Sequence, residues 1–92
     1  MDLLSEAQIS ARLAGLTGWD RQGDAIVHLE KLDNFSAAML YVGAVAYLAE
    51  SANHHPDVVI QWNKVTLTLS THSAGGLTTN DFDMAERINA LT

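Results

Sequence analysis

Apolar and polar positions divide the chain into seven segments, each with its own period. Ile9, Leu13 and Leu16 recur at helical spacing behind Ser5-Glu6-Ala7-Gln8. That tetrapeptide has the capping-box spacing, in which Ser5 receives the Gln8 amide and Gln8 returns the bond. Gly15 and Gly18 end this first helix. Two short strands follow at residues 19–21 and 25–32, separated by Gln22-Gly23-Asp24, where glycine beside aspartate at a polar break signals a hairpin. Asp33-Asn34 offers a cap for a long helix over residues 35–53. Its apolar residues form one stripe of Phe35, Ala38, Met39, Val42, Val45, Ala46 and Ala49, and a second of Leu40, Ala44, Tyr47 and Leu48. A helix apolar on more than one side has to bury more than one side. A single sheet covers only one of them, so the other is expected to face a second subunit. A homo-dimer or homo-tetramer is the expectation.

Residues 58–71 predict two strands turning at Asn63-Lys64. Val65, Leu67 and Leu69 alternate with Thr66, Thr68 and Ser70, which is strand patterning with one apolar face and one solvated row. The loop Ser73-Ala74-Gly75-Gly76 leads to Thr78-Thr79-Asn80-Asp81, which opens a last helix carrying Phe82, Ala85, Ile88 and Leu91. The order α-β-β-α-β-β-α predicts an α+β fold: a four-stranded antiparallel sheet with three helices packed on one face.

Length and charge narrow the possibilities. The 92 residues make one domain, 1–92, of a size that buries only about two-thirds of its unfolded surface. With no cysteine there is no disulfide or thiolate chemistry and no pointer to an oxidising compartment. The opening MDLLSEAQ has an early acid and no basic stretch, unlike a signal peptide. The longest uncharged run, 34–49, falls short of the roughly 20 residues of a membrane-spanning helix, so no membrane partner is expected. A formal charge of −6 disfavours direct nucleic-acid binding, because little positive charge is available to displace counterions from phosphates. The expected location is cytoplasmic.

Three of the four histidines fall in one constellation: Glu50, His54-His55-Pro56, Trp62, His72 and Asp81. Glu50 and His54, four apart near a helix end, share a face and are within hydrogen-bonding reach of each other. Pro56 forces His55 out of the helical region, so the two adjacent imidazoles leave the helix in different directions. His72 stands at the end of a strand before the glycine loop. Imidazole suits general acid–base work because its reference pKa of about 6.5 lets it give or take a proton at neutral pH.

Each residue also has a structural reading. Asp81 lies at the N3 place of a capping box behind Thr78, and Leu77 with Phe82 fits a hydrophobic staple, so Asp81 reads first as a helix-start residue that also serves the histidines. Glu50 near a helix C-terminus opposes the macrodipole, a local conflict that points toward function. Trp62 reads as core before it reads as a stacking plate, and His28 reads as exposed surface. Three histidines and two carboxylates could ligate zinc. Against this, adjacent His54-His55 is poor geometry for one ion, and neither HExxH nor a cysteine pair is present.

The run Glu50-x3-His54-His55-Pro56-x5-Trp62-x9-His72-x8-Asp81 resembles the signature of the pterin-4a-carbinolamine dehydratase family. The resemblance extends along the chain through Leu4-Ser5-Glu6, Gly18-Trp19, Asp24-Ala25-Ile26, Asp33-x-Phe35, Asn63-Lys64-Val65, Leu69-Ser70-Thr71-His72 and Gly76-Leu77. It implies an α+β fold assembled as dimers or tetramers, and dehydration of 4a-hydroxytetrahydropterin to quinonoid dihydropterin without metal or organic cofactor. It implies His54, His55 and His72 as catalytic, with His54 as acid, His72 as base and His55 positioning the pterin. Glu50 and Asp81 would orient the histidines, and Asn53, Trp62, Ser70, Thr71 and Ser73 would belong to the substrate site. An aromatic amino-acid hydroxylase would supply the carbinolamine. The alternative role is a non-catalytic dimerisation module of the transcriptional-cofactor type. The chain departs from its relatives at Asn53, where many carry an acid, at Glu30 and Leu32, where relatives are more aromatic, and at Trp62, which replaces a frequent tyrosine.

Overall fold

Both capping boxes form as the sequence requires: Ser5 with Gln8 at the first helix, Thr78 with Asp81 at the last. The computed structural model describes residues 2–92. Along the chain run α1 (Glu6–Ala14), β1 (Asp20–Gln22), β2 (Ala25–Lys31), α2 (Phe35–Ala52), β3 (Asp57–Gln61), β4 (Lys64–Leu69), a short 3₁₀ turn (His72–Ala74) and α3 (Thr79–Asn89). The strands make one antiparallel sheet in the order β1-β2-β4-β3, so two hairpins meet along β2 and β4. This is the predicted α+β order, and each boundary falls within a few residues of its expected place.

Period-two alternation decides what the sheet buries. Ile26 of β2 pairs with Leu69 of β4, and His28 with Leu67, while Val58 of β3 faces Leu67 from the other side. Val65, Leu67 and Leu69 are fully buried beneath Phe82, Met84, Ala85 and Ile88 of α3 and Ala38, Tyr41 and Val45 of α2. The alternate row, Thr66, Thr68 and Ser70, is half-buried rather than fully solvated.

Three expectations are corrected here. His28 is not on the surface: it shares the helix-facing side of β2 with Ile26, and its ring stacks on Trp19 with centroids 5.2 Å apart. Nδ1 of His28 lies 2.6 Å from the Gly18 carbonyl oxygen and Nε2 lies 2.7 Å from Glu30 Oε1. The close approach needs a glycine, because a Cβ at Gly18 (φ +84°) would sit 3.2 Å from the imidazole. Trp62 is not core. It sits at the tip of the β3–β4 hairpin, 67% exposed, because the turn is Trp62-Asn63 and not Asn63-Lys64. The α2 stripes also rotate: Ala38, Tyr41, Val45 and Ala49 face inward, while Phe35, Met39, Leu40 and Tyr47 face out.

With 18 residues and a mean hydropathy of 1.3, α2 has the length and composition of a membrane span, although the uncharged run within it is shorter. Its buried stripe rests on the sheet, as a core helix does. Leu40 and Tyr47 are 77% and 74% exposed.

Candidate active site

The end of α2 aims the first histidine. Asn53 takes the left-handed conformation (φ 50°, ψ 44°). Its amide donates to the Glu50 carbonyl at 3.3 Å, while the His54 amide donates to the Ala49 carbonyl at 3.0 Å. This is the Schellman arrangement, which satisfies orphan carbonyls and reverses the chain at once. Asparagine is one of the few residues that reach this region at low cost. Pro56 then holds the extended backbone that opens β3.

The reversal drives His54 inward. Its side chain is only 11% exposed, and Nε2 donates to Asp81 Oδ1 at 2.6 Å. Asp81 is fully buried at the start of α3, and its other oxygen accepts from the Thr78 amide at 2.9 Å and the Thr71 hydroxyl at 2.8 Å. Asp81 therefore serves both the helix start and the histidine. Glu50 does not bond His54. It bonds Nε2 of His55, because the Schellman turn carries His54 away and leaves the exposed His55 beside the last turn of α2. That partner also offsets the unfavourable position of Glu50 at the helix C-terminus.

His72 begins the 3₁₀ turn, with Ser70 and Thr71 between it and the end of β4. The Thr71 carbonyl accepts from the amides of Ala74 and Gly75 at 3.0 Å each, which closes that turn. Thr71 thus holds the segment carrying His72 through its backbone and the support of His54 through its side chain. His72 lines a cavity of about 330 Å³ with Asp24, Asp57, Thr68 and Ser70. The Ser70 hydroxyl donates to the Asp24 carbonyl at 2.8 Å, fixing one wall, and Ser73 follows His72 on the exposed side. His54 lines a separate cavity of about 220 Å³ with Asn80, Asp83, Met84 and Arg87.

The structure therefore gathers Glu50, Asn53, His54, His55, Ser70, Thr71, His72, Ser73 and Asp81 at one end of the sheet, where Asp57 pairs with Thr68 and Ile26 with Leu69. Trp62 lies beyond the far end of β3, roughly 20 Å along the chain from Pro56 at about 3.3 Å per residue. Among the described residues no three His, Asp or Glu side chains converge to hold a metal ion; the three imidazole–carboxylate pairs, His28–Glu30, His54–Asp81 and His55–Glu50, stay separate. Sequence reasoning missed the hydroxyl of Thr78, 2.8 Å from that of Thr71 and fully buried. Its cap position was legible, but the strand end that meets it was not.

The model of the family described as pterin 4 alpha carbinolamine dehydratase matches residues 2–91. A protein of Roseiflexus castenholzii named for this activity is 54% identical over 89 residues, covering 97% of this chain and 96% of its own. One from Nocardia farcinica, similarly named, is 50% identical over 90 residues, covering 98% and 95%. A crystal structure from Brucella melitensis, described as a transcriptional coactivator/pterin dehydratase, superposes with a TM-score of 0.93 at 35% identity over 98% of both chains. A pterin dehydratase-like RuBisCO assembly factor of the alpha-carboxysome shares the fold alone, at TM-score 0.68, 22% identity, and coverage of 80% and 88%. The chain belongs to the pterin 4 alpha carbinolamine dehydratase family.

Proposed function

We propose that this protein dehydrates 4a-hydroxytetrahydropterin to quinonoid dihydropterin by histidine general acid–base catalysis. The observation that carries the reading is His54, whose Nε2 is held by the buried Asp81 carboxylate at the sheet end that also presents His55 and His72. In the reaction the C4a–O bond breaks and the hydroxyl leaves as water after receiving a proton. The C4a–N5 double bond forms as N5 loses its proton to a base. His54 supplies the first proton and His72 takes the second, the acid and base roles for which imidazole side chains are suited. His55, steadied by Glu50, positions the pterin; Asn53, Ser70 and Ser73 border it. The elimination is redox-neutral, so the scheme calls on no organic cofactor or metal.

A second, compatible role is assembly. The exposed residues Phe35, Met39, Leu40 and Tyr47 of α2 leave a broad apolar surface that fits a second copy of the chain. The pairing of coactivator and dehydratase in the description of the Brucella neighbour supports an interaction role on this fold. Within this reading the protein works in the cytoplasm, beside the hydroxylase that makes its substrate.

Titrating ¹⁵N-labelled protein with a stable 7,8-dihydropterin tests the site directly. Saturable shifts centred on residues 53–55 and 70–73 are expected. Shifts confined to the Trp62 tip, or none at all, would contradict the assignment.

A further inference from the structure

The hydroxyls of Thr71 and Thr78 are buried together, and hydrogen-bond accounting fixes the direction of every proton around them. Asp81 is a pure acceptor when ionised. Its Oδ2 takes the Thr78 amide proton and the single Thr71 hydroxyl proton. Because that proton is spent on Asp81, the 2.8 Å contact between the two hydroxyls needs Thr78 to donate to Thr71. The Thr78 oxygen in turn accepts the Asp81 backbone amide, which completes the capping box. Thr78 thus donates to Thr71, and Thr71 to Asp81 Oδ2, which leaves Oδ1 as the acceptor facing His54 Nε2 at 2.6 Å.

We infer that Thr71 and Thr78 are positioning residues that lock His54 with its proton on Nε2, so that Nδ1 is the only atom through which His54 exchanges a proton with substrate. The inference rests on the dehydratase reading for its catalytic meaning, and on geometry alone for the proton arrangement. As an imidazolium, His54 gives up the Nδ1 proton; as a neutral ring it receives one there. In either state Nε2 stays protonated, because every other lone-pair direction that Asp81 uses is filled from the threonine side. It also gives Thr71 a task other than contact with substrate: only 6% of the residue is exposed, and its hydroxyl is fully engaged. A serine would serve at this position and a valine would not.

Long-range ¹H–¹⁵N correlation spectra of the histidine rings, with His54 identified from its loss in His54→Gln, test this without reference to activity. Wild type should show the neutral ring protonated on Nε2 and unprotonated on Nδ1. Thr71→Val removes one donor from Asp81 and the acceptor of Thr78; the ring should then report a mixture of tautomers, and kcat should fall about tenfold at unchanged KM, the size of one lost hydrogen bond to a charged group. Thr71→Ser should restore both. A wild-type ring carrying its proton on Nδ1 would overturn the inference, whether or not the variants fold. So would a folded Thr71→Val protein with a wild-type ring spectrum. The expected wild-type spectrum in a protein with no dehydration rate would refute the dehydratase reading and uphold the proton arrangement.

Discussion

Tyr41 carries a buried hydroxyl with no hydrogen-bond partner among the described residues, on the inward face of α2. Burial, and after it the negative charge of Glu30, pushes its pKa up to about 12 from 10.0. The folded state therefore holds the phenol proton more tightly than the unfolded chain. Its contribution to stability is complete below pH 10.0 and is lost as pH climbs toward about 12. Tyr41→Phe removes an unsatisfied polar group, so it should stabilise the fold by about 1 kcal/mol at neutral pH in urea denaturation and flatten the alkaline decline. A loss of stability at neutral pH would mean that the hydroxyl has a partner. Tyr41 escaped both stripes read from the sequence for a physical reason: a helix apolar on most sides does not define its own rotation, and only the sheet beneath it does. His28 escaped for the opposite reason. Its polarity marked it for the surface, while the strand period carried it inward to two acceptors and an indole.

Elements were more legible than single residues, because caps and periods are local. The Asn34 side chain accepts the Ala37 amide at 2.8 Å, as expected of a helix start. At the other end, Asn53 in the left-handed region ends α2 and redirects His54. Asn53→Ala should therefore destabilise the fold by about 1 kcal/mol in thermal melts, and Asn53→Gly should cost little. Equal losses in the two variants would show that the side chain, not the backbone angle, is what matters. The β3–β4 turn was read one residue late because Trp62 occupies a positive φ of 53°, a place that turn preferences give to glycine or asparagine. The helical spacing of Glu50 and His54 promised a contact that the Schellman turn then gave to His55. Periodicity describes a helix, and the pairing was decided just outside it.

At the scale of the whole molecule the sequence foretold the order of elements and the four-stranded antiparallel sheet. It left unread the threonine–aspartate support under His54, because that support joins a strand end to a helix start through contacts that no local pattern encodes. The outward face of α2 leads to a prediction about assembly. Wild type should scatter light as a dimer or larger, and Leu40→Glu combined with Tyr47→Glu should leave the circular dichroism unchanged while reducing that mass to one chain. An unchanged multimer would move the interface elsewhere.

The central claim is catalytic, and dehydration of 4a-hydroxytetrahydropterin followed by stopped-flow absorbance tests it most directly. Wild type should accelerate the reaction over buffer, and His54→Ala and His72→Ala should each lower the rate by about 10²-fold or more, the usual worth of an acid or base. Folded wild-type protein with no rate above buffer would contradict the account.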